Sequence, residues 1–171
     1  MPCCRPGVAL VGLQEARACI PALRELADDG WGLVLSNEAT GRQEPILYRR
    51  DVFRLVDSSS VMGCVGKAGV DPERRINDAD LIHRVTGQDV VLLNTHMNHH
   101  VEDWSWSPRA RGYRKHMRRL RRAIREYDSE TLVLVTMDSN VDQNTRSRRW
   151  WWPQNALAQG GRRLELRGPS R

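Results

Sequence analysis

The chain has 171 residues, 40% of them apolar and 28% charged, a balance that excludes wholesale disorder and gives room for one domain whose core needs no disulfide staples. Lys and Arg outnumber Asp and Glu by 27 to 21, a net charge of +6. That favours anionic partners such as nucleic acid, phosphate esters or acidic lipid, with plain compositional bias as the alternative. No apolar run reaches the roughly 18 residues that span a bilayer, and the opening Met1-Pro2-Cys3-Cys4 stretch lacks the apolar core of a secretory signal.

Residues 8–13 form an apolar run ending in Gln14-Glu15 and read as a buried strand with a polar pair at its C-terminal end. Leu23 and Leu26 are spaced for a short helix over 21–29, with Pro21 suited to its first turn and Gly30 to its stop. Residues 31–35 read as a second strand, 37–44 as a turn or short loop around Gly41, and 45–48 and 52–56 as two further strands around an Arg49-Arg50-Asp51 turn. The stretch 57–80 mixes three serines, three glycines and several charges, and is expected to be a long surface excursion. Residues 81–85 alternate, 86–89 turn, and 90–93 are continuously apolar, which predicts a hairpin feeding a buried strand that ends in Asn94-Thr95-His96.

A polar loop with His and Trp residues follows over 97–107. Pro108 opens the clearest helix, where Tyr113, Met117, Leu120, Ile124 and Tyr127 recur at three- and four-residue spacing while Arg and Lys fill the other faces. Residues 132–135 read as another buried strand, running into Met137-Asp138-Ser139-Asn140. The segment from Thr145 is rich in Arg and Trp, with Trp150-Trp151-Trp152, and a weakly ordered tail is expected from about residue 160. Helices alternate with buried strands, so the class is mixed α and β in a single domain over 1–171. The four cysteines, Cys3, Cys4, Cys19 and Cys64, contain no C-x-x-C pair, so a zinc ribbon is excluded and reduced thiols are expected.

Polar groups cluster just past three apolar runs: Glu15, His96, and Asp138 with Asn140. A carboxylate at a strand end suits a hard cation such as Mg²⁺, which is typically held by one or two carboxylates plus substrate phosphate. Asp138 is a second acidic group, able to bind that cation or to orient a water for attack on phosphorus. Asn140, two residues on, points the same way as Asp138 if the segment stays extended, and its amide can then donate to a phosphoryl oxygen. His96 can donate to a developing phosphorane. Together these are the parts of metal-assisted phosphoester hydrolysis. Each also has a plainer reading: Glu15 as a helix cap, Asp138-Ser139-Asn140 as a turn, and His96 with His99 and His100 as a polar loop or a metal-binding cluster.

The order of these pieces resembles the endonuclease/exonuclease/phosphatase family, whose members share the DNase I-like fold. The matching segments are Val11-Gly12-Leu13-Gln14-Glu15, Pro45-Ile46-Leu47-Tyr48-Arg49-Arg50, Asn94-Thr95-His96-Met97 and Met137-Asp138-Ser139-Asn140, and the likeness covers about residues 8–142. The resemblance implies an α+β, four-layer α/β/β/α sandwich and Mg²⁺- or Mn²⁺-dependent phosphoester hydrolysis. It implies Glu15 and Asp138 as metal ligands, His96, Asp138 and Asn140 as catalytic groups, and Arg17, Tyr48 and Asn140 as substrate-binding residues. Nucleic acid or another phosphoester is the implied substrate; the lack of a signal peptide and of a membrane span in the sequence adds the expectation of a cytoplasmic location.

The chain departs from the family pattern in three places. The family's first strand, with its Asn, has no counterpart before residue 8; no Asp-His pair occurs anywhere; and Met137 stands where the family has Gly. A member trimmed at both ends is the corresponding expectation, with His99, His100 or His116 as candidates to replace the absent His. A basic nucleic-acid-binding module and a degenerate fragment on the same scaffold are the competing readings, motivated by the Arg-rich helix and the Arg/Trp tail.

Overall fold

A computed structural model describes residues 7–64, 73–98 and 108–140. In chain order they form strand β1 (Leu10–Gly12), a 3-10 turn (Ala16–Cys19), helix α1 (Ile20–Asp28), strand β2 (Trp31–Val34) and a second 3-10 turn (Ala39–Gln43). Strands β3 (Ile46–Arg49), β4 (Phe53–Cys64), β5 (Arg74–His83) and β6 (Asp89–His96) follow, then helix α2 (Pro108–Glu126) and strand β7 (Leu132–Asp138). One sheet has the order β1-β3-β2 and is antiparallel; the other has the order β4-β5-β6-β7, antiparallel except for β6 and β7. A parallel pair needs a crossover, and α2 supplies it.

Three apolar clusters separate four layers. Leu23 of α1 packs with Trp31 and Leu47 on the outer face of the first sheet. Ile46 and Tyr48, one residue out of phase with Leu47, turn inward and meet Ala79, Leu81, Val90 and Leu92 of the second sheet. On that sheet's far face, Ile76, Val91 and Leu93 receive Tyr113, Met117, Leu120 and Ile124 of α2. The period of two in the strands and the three-to-four spacing in α2 therefore sort each side chain into its layer. The architecture is a four-layer α/β/β/α sandwich.

Local chemistry sets the element ends. A proline sits in the first turn of α1, and Gly30, at φ 82°, ends it in the left-handed region that glycine enters without strain. Asp128 Oδ1 accepts hydrogen bonds from the backbone N–H groups of Glu130 and Thr131, pinning the turn from α2 into β7.

Two sequence expectations are corrected. The stretch 57–80 is no surface excursion, because all its described residues except Glu73 belong to the long antiparallel pair β4–β5. Strand β7 is only half-buried: Val133 and Val135 pack under α2, whereas Leu132 and Leu134, on the other face, are exposed. Cys3 and Cys4, His99 and His100, most of the loop 97–107, and the Arg- and Trp-rich stretch with the tail lie outside the described residues.

Candidate active site

Strands β6 and β7 run side by side in the same direction, and their register sets His96 beside Asp138 and Asn94 beside Thr136. All four side chains face the first sheet. There Gly12 ends β1, and a Cβ on it would collide with Thr136 Oγ1 and the Asn94 amide. The missing side chain is what lets β1 lie this close to β6 and β7.

Asn94 is fully buried and satisfied on every side. Its Nδ2 donates to the carbonyls of Leu13 (2.8 Å) and Pro45 (3.1 Å). Its Oδ1 accepts from Gln14 Nε2 (2.6 Å) and Thr136 Oγ1 (2.9 Å). Its cross-strand neighbour Asn77 does the same one strand over, donating to the carbonyls of Gly41 and Glu44 at 2.7 Å each. Two adjacent amides thus fasten the sheets together at this end of the sandwich, and Gln14, held by Asn94, delivers Glu15 to the mouth.

At that mouth His96 is the centre. Its side chain is 1% exposed, and its Nε2 lies 3.9 Å from Glu15 Oε1 and 3.6 Å from Asp138 Oδ2. The carboxylates remain open to solvent, 70% exposed for Glu15 and 48% for Asp138. Behind the ring, Nδ1 is 2.9 Å from Nη1 of Arg74, which in turn lies 3.9 Å from Glu44 Oε1. Burial pushes the Glu44 carboxyl up to about 7 against the opposing pull of the Arg74 guanidinium.

Asp138 is oriented by its own turn. The Asn140 N–H donates to Asp138 Oδ1 (2.9 Å), Asn140 Nδ2 donates to the Met97 carbonyl (2.8 Å), and the Asp138 carbonyl accepts from Met97 N–H (2.9 Å). Asn140 is therefore not in an extended segment, which corrects the sequence expectation; it sits at φ 49°, and one of its two amide hydrogens is committed to backbone. Glu15 stands at φ 55°. Among the described residues these are the two non-glycine positions in the left-handed region, a conformation costing roughly 1–2 kcal/mol, less for Asn. Both flank one histidine, and such local strain collects at functional sites.

The other expected residues are placed elsewhere. Tyr48 lies between the sheets with its ring over Gly32, so its position is that of a core residue. Arg17 is exposed in the 3-10 turn after Glu15. His116 is buried under Gly63, its Nε2 bonded to Thr95 Oγ1 at 2.8 Å. Burial and the nearby Arg74 and Arg119 charges push it down to about 3, which keeps the ring neutral. Sequence reasoning missed Glu44 and Arg74. One was read as loop and the other as surface, and only their burial marks them.

The architecture has well-defined relatives among solved structures. An endonuclease/exonuclease/phosphatase from Bacteroides vulgatus superposes with a TM-score of 0.65 at 21% identity, covering 83% of this chain and 56% of that one. A mannosyl-6-phosphatase from Bacteroides thetaiotaomicron gives 0.65 at 20%, covering 90% and 57%. TDP2 from D. rerio, complexed with single-strand DNA product, gives 0.61 at 16%, covering 90% and 52%. The chain has the endonuclease/exonuclease/phosphatase fold. It spans about half the length of the solved structures that carry that fold and match it. No protein-family model matches the sequence, and a search of curated proteins finds no significant relative. The polar cluster lies at strand ends, where rigid backbone holds side chains that loops leave loose.

Proposed function

We propose that the chain hydrolyses phosphoester bonds with the help of a divalent cation. The observation that carries this is the meeting of Glu15 and Asp138 at one buried nitrogen, His96 Nε2. The donor set suits a hard ion. Two solvent-reached carboxylates match the one or two that Mg²⁺ or Mn²⁺ uses while keeping its waters. Among the described residues no group of three or more His, Cys, Asp or Glu is arranged to hold a metal ion, so the proposed ion rests on these two carboxylates and the substrate. Bound by Glu15 and Asp138, such a cation would supply neutralisation of the phosphoryl charge.

The chain's own groups divide the remaining work. His96, rigid and buried, donates to a phosphoryl oxygen whose charge grows in the transition state. Asp138, held by the Asn140 N–H, accepts a hydrogen bond from the attacking water and aligns it. Asn140 keeps one amide hydrogen to offer a second phosphoryl oxygen. Arg17, exposed after Glu15, is within the same loop and can meet a substrate phosphate. The mannosyl-6-phosphatase and TDP2 with its DNA product make a phosphomonoester or a nucleic acid the substrate classes to try. Among the described residues no helix is long and apolar enough to cross a membrane.

A second reading, a nucleic-acid-binding module without turnover, is favoured by one observation. Arg111, Lys115, Arg118, Arg122 and Arg125 form an exposed stripe along α2, and such a stripe can follow a phosphate backbone. The deciding experiment is hydrolysis of nicked plasmid, single-stranded DNA and small phosphate esters with Mg²⁺ and with EDTA, beside Glu15→Ala and Asp138→Ala. Both sites are solvent-reached, so the variants should fold. EDTA-sensitive turnover that falls at least about 100-fold in each variant is the expected result. Turnover indifferent to EDTA and to both substitutions would sink the proposal. A folded chain that binds DNA without turnover would leave the second reading.

A further inference from the structure

Arg74 opens β5 with only 4% of its side chain exposed. Its Nη1 lies 2.9 Å from His96 Nδ1. A guanidinium keeps its protons in proteins and has no acceptor atom, so the hydrogen in that contact belongs to Arg74 and the ring nitrogen receives it. A neutral imidazole that accepts at Nδ1 carries its own hydrogen on Nε2. Nε2 is the atom that faces Glu15 Oε1 and Asp138 Oδ2. The other tautomer would put an N–H against the guanidinium and a lone pair against two carboxylates, so both ends of the ring would repel their surroundings.

We propose that Arg74 is a positioning residue, which donates to His96 Nδ1 and so fixes the imidazole as the Nε2–H tautomer with its donor aimed into the gap between Glu15 and Asp138. The phosphoesterase reading supplies what that donor is for; which nitrogen holds the hydrogen does not depend on it. Glu44, 1% exposed and 3.9 Å from Arg74 Nη1, is the acidic partner buried beside this guanidinium. The backbone reinforces the alignment. Arg74 and His96 lie on neighbouring strands β5 and β6, and Asn77 and Asn94 fasten those strands to the first sheet. The ring is thus held from behind by a charged donor, with Nε2 turned toward the carboxylates.

The test reads the hydrogen directly. Nitrogen-15 NMR of histidine-labelled protein, without metal or substrate, should show His96 Nε2 as the pyrrole-type nitrogen and Nδ1 as the pyridine-type one. The same should hold in Glu15→Ala/Asp138→Ala, because the lock lies behind the ring. In Arg74→Met the two resonances should move toward averaged values as the tautomers exchange. Where that variant folds poorly, with Glu44 left buried beside no cation, Arg74→Met/Glu44→Gln removes both charges and gives the same readout, with Glu44→Gln alone keeping the locked pattern.

On a hydrolysed ester, Arg74→Met should lose about 100-fold in kcat with KM changed by less than about threefold, and Arg74→Lys should recover part of it. Nδ1 found protonated in the unmutated chain, or a tautomer that follows the carboxylates and ignores Arg74, overturns the proposal. A chain that hydrolyses nothing refutes the phosphoesterase reading and leaves the nitrogen spectrum to decide this one.

Discussion

Burial raises the Glu44 carboxyl from its ordinary 4.5 to about 7, so between those values the folded chain holds a proton that the unfolded chain has released. Stability linked to this group is therefore full below about pH 4.5, falls as the pH rises, and is lost by about pH 7. The size is up to ~3 kcal/mol, since each tenfold change in proton affinity is worth about 1.4 kcal/mol. Urea titrations at pH 5 and pH 8 should show the loss, and Glu44→Gln should flatten it; a slope unchanged in that variant places the titration elsewhere. Glu15 offers a second residue-scale prediction. Its left-handed backbone costs roughly 1–2 kcal/mol, partly offset in a glycine variant by greater freedom of the unfolded chain. Glu15→Gly should thus raise the unfolding free energy by up to about 1 kcal/mol while abolishing metal-dependent turnover, a split that Glu15→Ala, unable to relax the backbone, should not show. Glu15, His96 and Asp138 were legible in the sequence because each follows an apolar run. Glu44 and Arg74 were not, since a charged residue in a polar stretch reads as surface until folding buries it.

Between elements, the weight falls on two amides. Replacing Asn94 by Ala strands the Leu13 and Pro45 carbonyls and removes the partner of Gln14 and Thr136. Unpaired buried carbonyls cost about 1–3 kcal/mol each, so Asn94→Ala should destabilise by roughly 3 kcal/mol and lower the melting temperature by roughly 6–12 °C. Calorimetry showing a change of less than a degree would contradict the account. The same two amides explain where element reading failed. Strands β1, β2 and β3 and helices α1 and α2 announce themselves by apolar periodicity. Along β4 and β5 the pattern is broken by Ser58, Ser59 and Ser60, and by Arg74, Arg75, Asn77 and Asp78. β4 is an edge of its sheet among the described residues, so much of it needs no apolar side chain. The polar groups of β5 are buried but paired, as when Arg75 donates to the Ser60 hydroxyl and carbonyl and Asp78 accepts from the Ser59 hydroxyl. Polarity satisfied inside a sandwich looks, in a one-dimensional string, like polarity facing water.

Charge belongs to the whole molecule. With a net charge of +6 and five exposed basic residues in one stripe on α2, polyanion binding should weaken steeply with salt. If the stripe engages a single strand, log K against log salt should fall with a slope of about −3. Lys115→Glu/Arg118→Glu should flatten that slope by about 1 or more and leave turnover of a small ester unchanged. A slope that does not respond assigns the attraction to other surfaces. The whole-molecule architecture was the most legible level of all, because four short segments in order carried it. The strand ends they mark are brought together only by contacts far apart in the chain.

That separation has a consequence in time. Asn94 joins Gln14 and Leu13 across 80 and 81 positions. A ribosome adding about 5–20 residues per second releases β1 on the order of 4–16 s before the side chain that anchors it has been made. Once made, β1, β2 and β3 can pair with one another, but their inward face, Ile46 and Tyr48 included, lacks Val90 and Leu92 until β6 is made. The three strands made first wait, uncovered, for the strand that closes the sandwich over them.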